Sequence, residues 1–356
     1  MATTTQSPSP ASTPDLHTAL AGGKLPRWAP AACAVGSVLA AVGLVAVLPV
    51  NGRAQTILLA LLLFGVSQTA WSFAVEGRRH AVDRLATTLI YATGVIALVP
   101  LVAILATVVA KGMKVFSTYF LLHSMRNVSP LRPGGGAYHA IVGTLEVVGI
   151  AALIGIPIGM LVAIYLVEYG TGKRLARWVT FFVDVMTGIP SIVAGLFIYT
   201  GLILTLGWER TGFTGALSLT ILMIPVMVRS TEEMLKLVPN ELRESAYALG
   251  VPKYRTVLRV VLPTALPGVI TGAMLAVARI TGETAPLLLT MFISASINFS
   301  PFTDPQATLP TFIWDQIARG TPASLDRAWA AALTLILLVV VLNLLARLLG
   351  RVYRVK

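Results

Sequence analysis

Apolar runs of about 20 residues recur along the chain and alternate with short polar segments, a pattern that predicts membrane-spanning helices rather than faces of a soluble core. Eight spans can be placed. The first runs from about Ala29 to Val50, and the second from about Ala54 to Val75 after a tight Asn51-Gly52 turn. The third covers Leu85 to Ala110 and leads into a polar segment with Pro130, Pro133 and three consecutive glycines. Tyr138 to Val167, Trp178 to Leu206 and a run from Thr214 follow. A seventh span starts near Thr264 and is interrupted by Gly282 and Pro286; the eighth is Ala328 to Leu349. Residues 1–23 are rich in Thr, Ser, Pro and Ala, which predicts a disordered tail, and they lack the basic start and apolar centre of a removable leader. The division is therefore a tail over 1–23, a two-helix hairpin over 24–84 and a six-helix domain over 85–356.

Between the sixth and seventh spans lies a charged island, Leu237 to Pro263. It reads as two short helices and a break. Asn240 can cap the first, with Glu241 and Glu244 in its opening turn, and Gly250 can supply the left-handed residue that ends it. Pro252 stands where a second helix could start, and that helix, with Lys253, Arg255 and Arg259, runs out at Pro263, with Pro267 beyond. Leu242, Ala246 and Leu249 fall at i, i+4 and i+7 and predict one small apolar face, a ridge shaped for a groove. An ordinary amphipathic hairpin, with Gly250 only a cap, is the alternative.

The order Glu244, Ala246, Gly250, Val260, Leu262-Pro263 resembles the EAA loop of ATP-binding-cassette importer permeases, with Ser245 and Val260 replacing the usual small residue and isoleucine. The resemblance implies an all-α membrane protein with a six-helix type I importer core, the N-terminal hairpin being an addition. It also implies that Glu241, Leu242, Glu244, Ala246, Leu249, Gly250 and Pro263 couple the chain to a separate ATPase.

Composition agrees with the membrane reading: 56% hydrophobic and 12% charged residues, with a mean hydropathy of +0.81. The net charge of +12 calls for no nucleic acid, since basic residues in such chains mark cytoplasmic loops. In the eight-span arrangement the segments on the side of the island hold 18 Lys and Arg and the opposite ones 8, which places both termini and the island in the cytoplasm of a plasma (inner) membrane. Cys33 is the single cysteine, so no disulfide forms within the chain, and the four histidines show no ligand spacing.

Charge inside the spans is the remaining chemistry. Arg279 falls about 24 Å along a helix from Pro263, and a charge at such depth should face protein or water, with Glu283 at i+4 as a ready partner. A cation on an anion's path and a structural ion pair are the two readings; intramembrane ionisable groups favour the first. Arg229 is a second candidate on the path, or a side chain reaching lipid phosphates. Glu146 and Asp184 suit helix packing better than an anion route, and Gly188, Pro190 and Gly195 suit close approach and a kink.

Arg279 to Leu288, Gly188 to Phe197 and Pro225 to Pro239, with Gly143 to Leu145 and Tyr165 to Tyr169, are similar to the PstA family of phosphate-importer permeases. That resemblance covers roughly Leu85 to the C-terminus. It implies a heterodimer with a PstC-like permease, two PstB-like ATPases that bind ATP and magnesium, a phosphate-binding protein, PstS, outside, and no cofactor in this chain. No phosphate-cradling ATPase loop is present: Gly170-Thr171-Gly172-Lys173-Arg174 lacks the spacing and the hydroxyl. A sulfate-like oxyanion permease, the sister subunit PstC, and a secondary transporter or channel without an ATPase are the competing readings.

Overall fold

The computed structural model describes residues 25–47 and 53–352, and among them every regular element is helical. The predicted tail over 1–23, the Asn51-Gly52 turn, Arg354 and Lys356 lie outside the described residues. Among the described residues seven helices are long and apolar enough to cross a membrane, eight if a sharply bent pair counts as one span. The chain is a multi-pass membrane protein. It divides into two compact units, Met1–Leu105 and Ala106–Lys356.

The first unit holds α1 (Ala29–Val47), α2 (Arg53–Glu76) and most of α3 (Arg78–Gly112). Ala29, Cys33, Ser37 and Ala41 recur every fourth residue and are the buried face of α1, small side chains that let helices approach. Trp28 meets Trp71 edge-on, and Glu76 accepts from the Leu25 amide, Ser72 and Arg84. The boundary expected at 84/85 falls inside α3, which runs unbroken from Arg78 because its polar first turns continue into the apolar run.

The second unit is built on α5 (Tyr138–Tyr169) and α8 (Gly212–Lys236). Ala151, Gly155, Gly159 and Ala163 repeat at four-residue spacing along the buried face of α5. A Cβ on Gly159 would stand 2.7 Å from that of Met227, so glycine sets how closely these helices lie. Two clusters fill the interior. One, with Val147, Val148, Leu219, Ala276, Ile280 and Met291, lies toward the start of α5; the other, with Ala163, Leu166, Met227, Leu235 and Val261, lies toward its end.

Two expected elements differ. The fifth span is α6 (Arg174–Gly188) followed by α7 (Ser191–Thr205), bent by 108° where Pro190 enters extended backbone. There Gly195 admits the backbone of Pro286 from α11 (Ala285–Thr290) to a distance no side chain would tolerate. The second helix of the island does not run out at Pro263. It continues as α10 (Lys253–Thr281), because a π-helical turn over Val257–Val261 absorbs the proline that follows. The interruption at Gly282 and Pro286 is present: α10 ends at Thr281 and α11 begins at Ala285.

At the end of the bundle where α5 starts, three elements form a cap: short α4 (Thr118–Leu122), the glycine-rich turn, and α12 (Leu309–Arg319). The apolar-run pattern does not predict α12, although Thr308 and Thr311 cap it reciprocally and Pro310 opens it. Gly134 and Gly135 take positive φ of 112° and 74°, and a Cβ on Gly136 would lie 2.6 Å from the His123 carbonyl, which explains three glycines in a row. Arg327, on α13 (Pro322–Val352) and only 1% exposed, pins this turn. Its guanidinium donates to the carbonyls of Pro130, Arg132 and Gly134 and to Gln316 Oε1. Arg327→Met therefore strands buried acceptors and costs about 3 kcal/mol or more, read as a lower denaturation midpoint of the purified protein; an unchanged midpoint would refute the pin.

Candidate coupling and transport site

The island folds as α9 (Asn240–Ala248), a turn, and the start of α10. Gly250 has φ of 74°, its amide donates to Tyr247 O, and the Val251 amide donates to Ala246 O, so the expected left-handed terminator is a complete double-bonded cap. Pro252 precedes the second helix as expected. The N-terminal cap differs. Pro239 takes that position, and Asn240 lies inside the helix with Oδ1 accepting from Arg243.

The expected apolar face is divided. Ala246 is buried against the rest of the loop, whereas Leu242 is 41% and Leu249 83% exposed. Glu241 and Glu244 are exposed beside them. What faces outward is thus a pair of leucines with two carboxylates, and Ala246 is the floor. Pro263 is exposed on α10 within continuous helix, so it is not a break at which the loop could swing.

The residue that holds α9 in place is Arg243. All five of its N–H groups are used. Nε and Nη2 donate to Glu168 Oε1 at 3.1 and 2.8 Å, Nη2 also donates to Leu235 O, and Nη1 donates to Val238 O and Asn240 Oδ1. Glu168, with 4% of its side chain exposed, sits on the π-helical last turn of α5, Tyr165–Tyr169. Next to it, the Tyr169 ring lies 5.1 Å from Lys253 Nζ at the start of α10. Sequence reasoning noted the Tyr165 to Tyr169 stretch but not this pairing; 75 residues separate the partners, and no local spacing announces it.

Arg229 does not stand free. It bonds Asp184 of α6 and donates to Glu232 at 2.7 Å, and Glu232 also accepts from Lys236. Two carboxylates thus offset its charge, Glu232 on its own helix and Asp184 on another. Glu146 is bonded by Gln306, in keeping with a packing role.

Arg279 lies in the last turn of α10, its side chain is exposed on the isolated chain, and among the described residues neither a hydrogen bond nor an ion pair engages it. Its neighbours Ala276 and Ile280 pack into the cluster containing Val147 and Ala151, which places it well inside the bundle ends. The expected pair with Glu283 does not form. The helix stops at Thr281, so the i to i+4 geometry is lost at Gly282, and Glu283 is half-buried apart from it. Among the described residues no group of His, Cys, Asp and Glu could hold a metal ion.

A family model described as the binding-protein-dependent transport system inner membrane component matches residues 155–355. The phosphate transport system permease protein PstA 1 of Mycobacterium tuberculosis (strain ATCC 25618 / H37Rv) is 48% identical over 270 residues, 76% of this chain and 87% of the relative. The chain belongs to this permease family, in its PstA branch. The PstA of Yersinia pestis is 39% identical over 269 residues, covering 76% and 90%. A crystal structure of a bacterial ABC transporter involved in the import of the acidic polysaccharide alginate aligns at a TM-score of 0.50 and 16% identity over 77% of this permease and 99% of that chain, a likeness of fold alone. The EAA loop and Arg279 both lie within the family match.

The split face of α9 makes a contrast measurable in this permease. Leu249→Ser leaves the denaturation midpoint of the purified subunit unchanged, within about 0.5 kcal/mol, because the side chain touches solvent. Ala246→Leu overpacks the floor and costs about 1–3 kcal/mol. Equal losses in the two variants would show that the face is not divided.

Proposed function

We propose that this chain is the permease subunit of an ATP-driven importer that carries inorganic phosphate across the plasma membrane. Its relatives are phosphate transport system permeases, and its fold is that of an importer permease. The observation that carries a pathway role is Arg279: an unpaired guanidinium at bundle depth is too costly to leave in lipid, by roughly 3 kcal/mol or more, so the exposed face it occupies meets water or another subunit. A doubly hydrogen-bonding cation on such a face suits an oxyanion with one to two charges.

In this reading a PstC-like permease completes the route, PstS delivers phosphate outside, and two PstB-like subunits bind ATP and magnesium inside. Both termini and α9 are then cytoplasmic, in agreement with the concentration of Lys and Arg on that side. Leu242 and Leu249, flanked by Glu241 and Glu244, enter the ATPase cleft, and Gly250 sets the direction of the chain behind them. Closure of the ATPases moves α9, and the motion passes into the bundle that Arg279 faces. Glu283, freed of Arg279, lies close enough in sequence to tune its field without neutralising it.

Arg279→Gln in the assembled complex reduces phosphate uptake by about tenfold or more, with subunit composition unchanged. Normal accumulation of radiolabelled phosphate in that variant would refute the role, and displacement by sulfate rather than phosphate would reassign the substrate.

A further inference from the structure

We propose that Arg243 and Glu168 form the positioning clamp through which this permease transmits the ATPase stroke to α5, so that α5 and the end of α8, not the proline-containing start of α10, are the driven elements. This rests on the coupling role proposed for α9.

The geometry is specific. One planar guanidinium joins four places in the chain: Leu235 at the end of α8, Val238 in the turn, Asn240 at the start of α9, and Glu168 on the last turn of α5. With every donor engaged, α9 cannot rotate about its own axis or slide without breaking a buried charge-assisted bond. Of the exposed leucines that would meet the ATPase, Leu242 adjoins Arg243 on α9 and Leu249 is the residue that caps the end of that helix, so a push on them is delivered through the clamp. The second half of the loop is held to the same turn of α5 by a different interaction, Lys253 over Tyr169. Two consecutive residues, Glu168 and Tyr169, thus anchor both arms of the loop. Helix α5 is the long element that joins this anchor to the cap, and its early turns pack in the same cluster as Ile280, the neighbour of Arg279. The π-helical form of Tyr165–Tyr169 bears on this as well, since a widened last turn carries Leu166 and Glu168 on its buried side while Tyr169 is half-buried beneath Lys253.

A lysine at position 243 has three donors and no fork, and cannot reproduce this grip. The test uses the assembled complex reconstituted in vesicles, with phosphate uptake and ATP hydrolysis measured on the same preparation. Arg243→Lys is expected to keep the ATPase bound and hydrolysis within about twofold while uptake per ATP falls about tenfold; Glu168→Gln, which keeps the shape and an acceptor oxygen, falls in the same ratio by a smaller factor. Lys253→Gln alone has a lesser effect. If uptake and hydrolysis fall in parallel in both clamp variants, or if both couple normally, the clamp does not transmit the stroke. Should Arg243→Lys fail to assemble, Glu168→Gln decides by the same ratio. Failure of the underlying coupling role is read separately: a complex with the clamp intact whose ATPase stays bound and coupled after Leu249→Asp would remove α9 as the docking element.

Discussion

A guanidinium withdrawn from bulk water must find partners for up to five donors, and in an apolar chain few are on offer. Three arginines meet this constraint in three ways. Arg243 takes a carboxylate and three other oxygens, Arg327 takes carbonyls from a glycine-rich turn, and Arg279 takes nothing within the described chain. The first two fix the ends of the bundle. The third keeps its donors free among the described residues, which the anion-binding role proposed for it requires, since a satisfied structural arginine would have no capacity to bind an anion.

The two pinned ends are joined by close helix contact, not by polar bonds. The four-residue repeat of small side chains on α5 brings α8 near enough for methionines to fill the space, and the apolar clusters follow from that spacing. A stiff α5–α8 pair with a clamp at one end and a cap at the other is suited to move as one body. The backbone leaves regular helix at the sharp turn between α6 and α7, which precedes the close Gly195–Pro286 contact, and at the gap between α10 and α11, which follows Arg279.

Much of this was legible in residue order because membranes demand long apolar helices, and because turn chemistry is local. The spans, the cap at Gly250 and the breaks at Gly282 and Pro286 are all carried by neighbouring residues. What escaped was set by contacts distant in sequence. Arg243 reads as one more basic loop residue until Glu168 is brought beside it, and Arg327 reads as a flanking charge until the turn at Pro130 closes over it. Arg229 escaped for the same reason, its second partner Asp184 lying on another helix. Proline misled in one place: Pro263 looks like a stop, yet a π-helical turn before it keeps α10 continuous. Arg279 and Glu283 fit an i, i+4 pair only on the assumption that the helix extends past Gly282, which it does not.

The central claim, that Arg279 faces an aqueous anion route rather than lipid, is tested most directly by thiol accessibility. Arg279→Cys is placed in an otherwise cysteine-free complex, with Cys33→Ser in this chain, and treated in turn with a charged, membrane-impermeant thiol reagent and with a lipid-soluble one. The account predicts that the charged, impermeant reagent modifies position 279. Modification by the lipid-soluble reagent alone would contradict it.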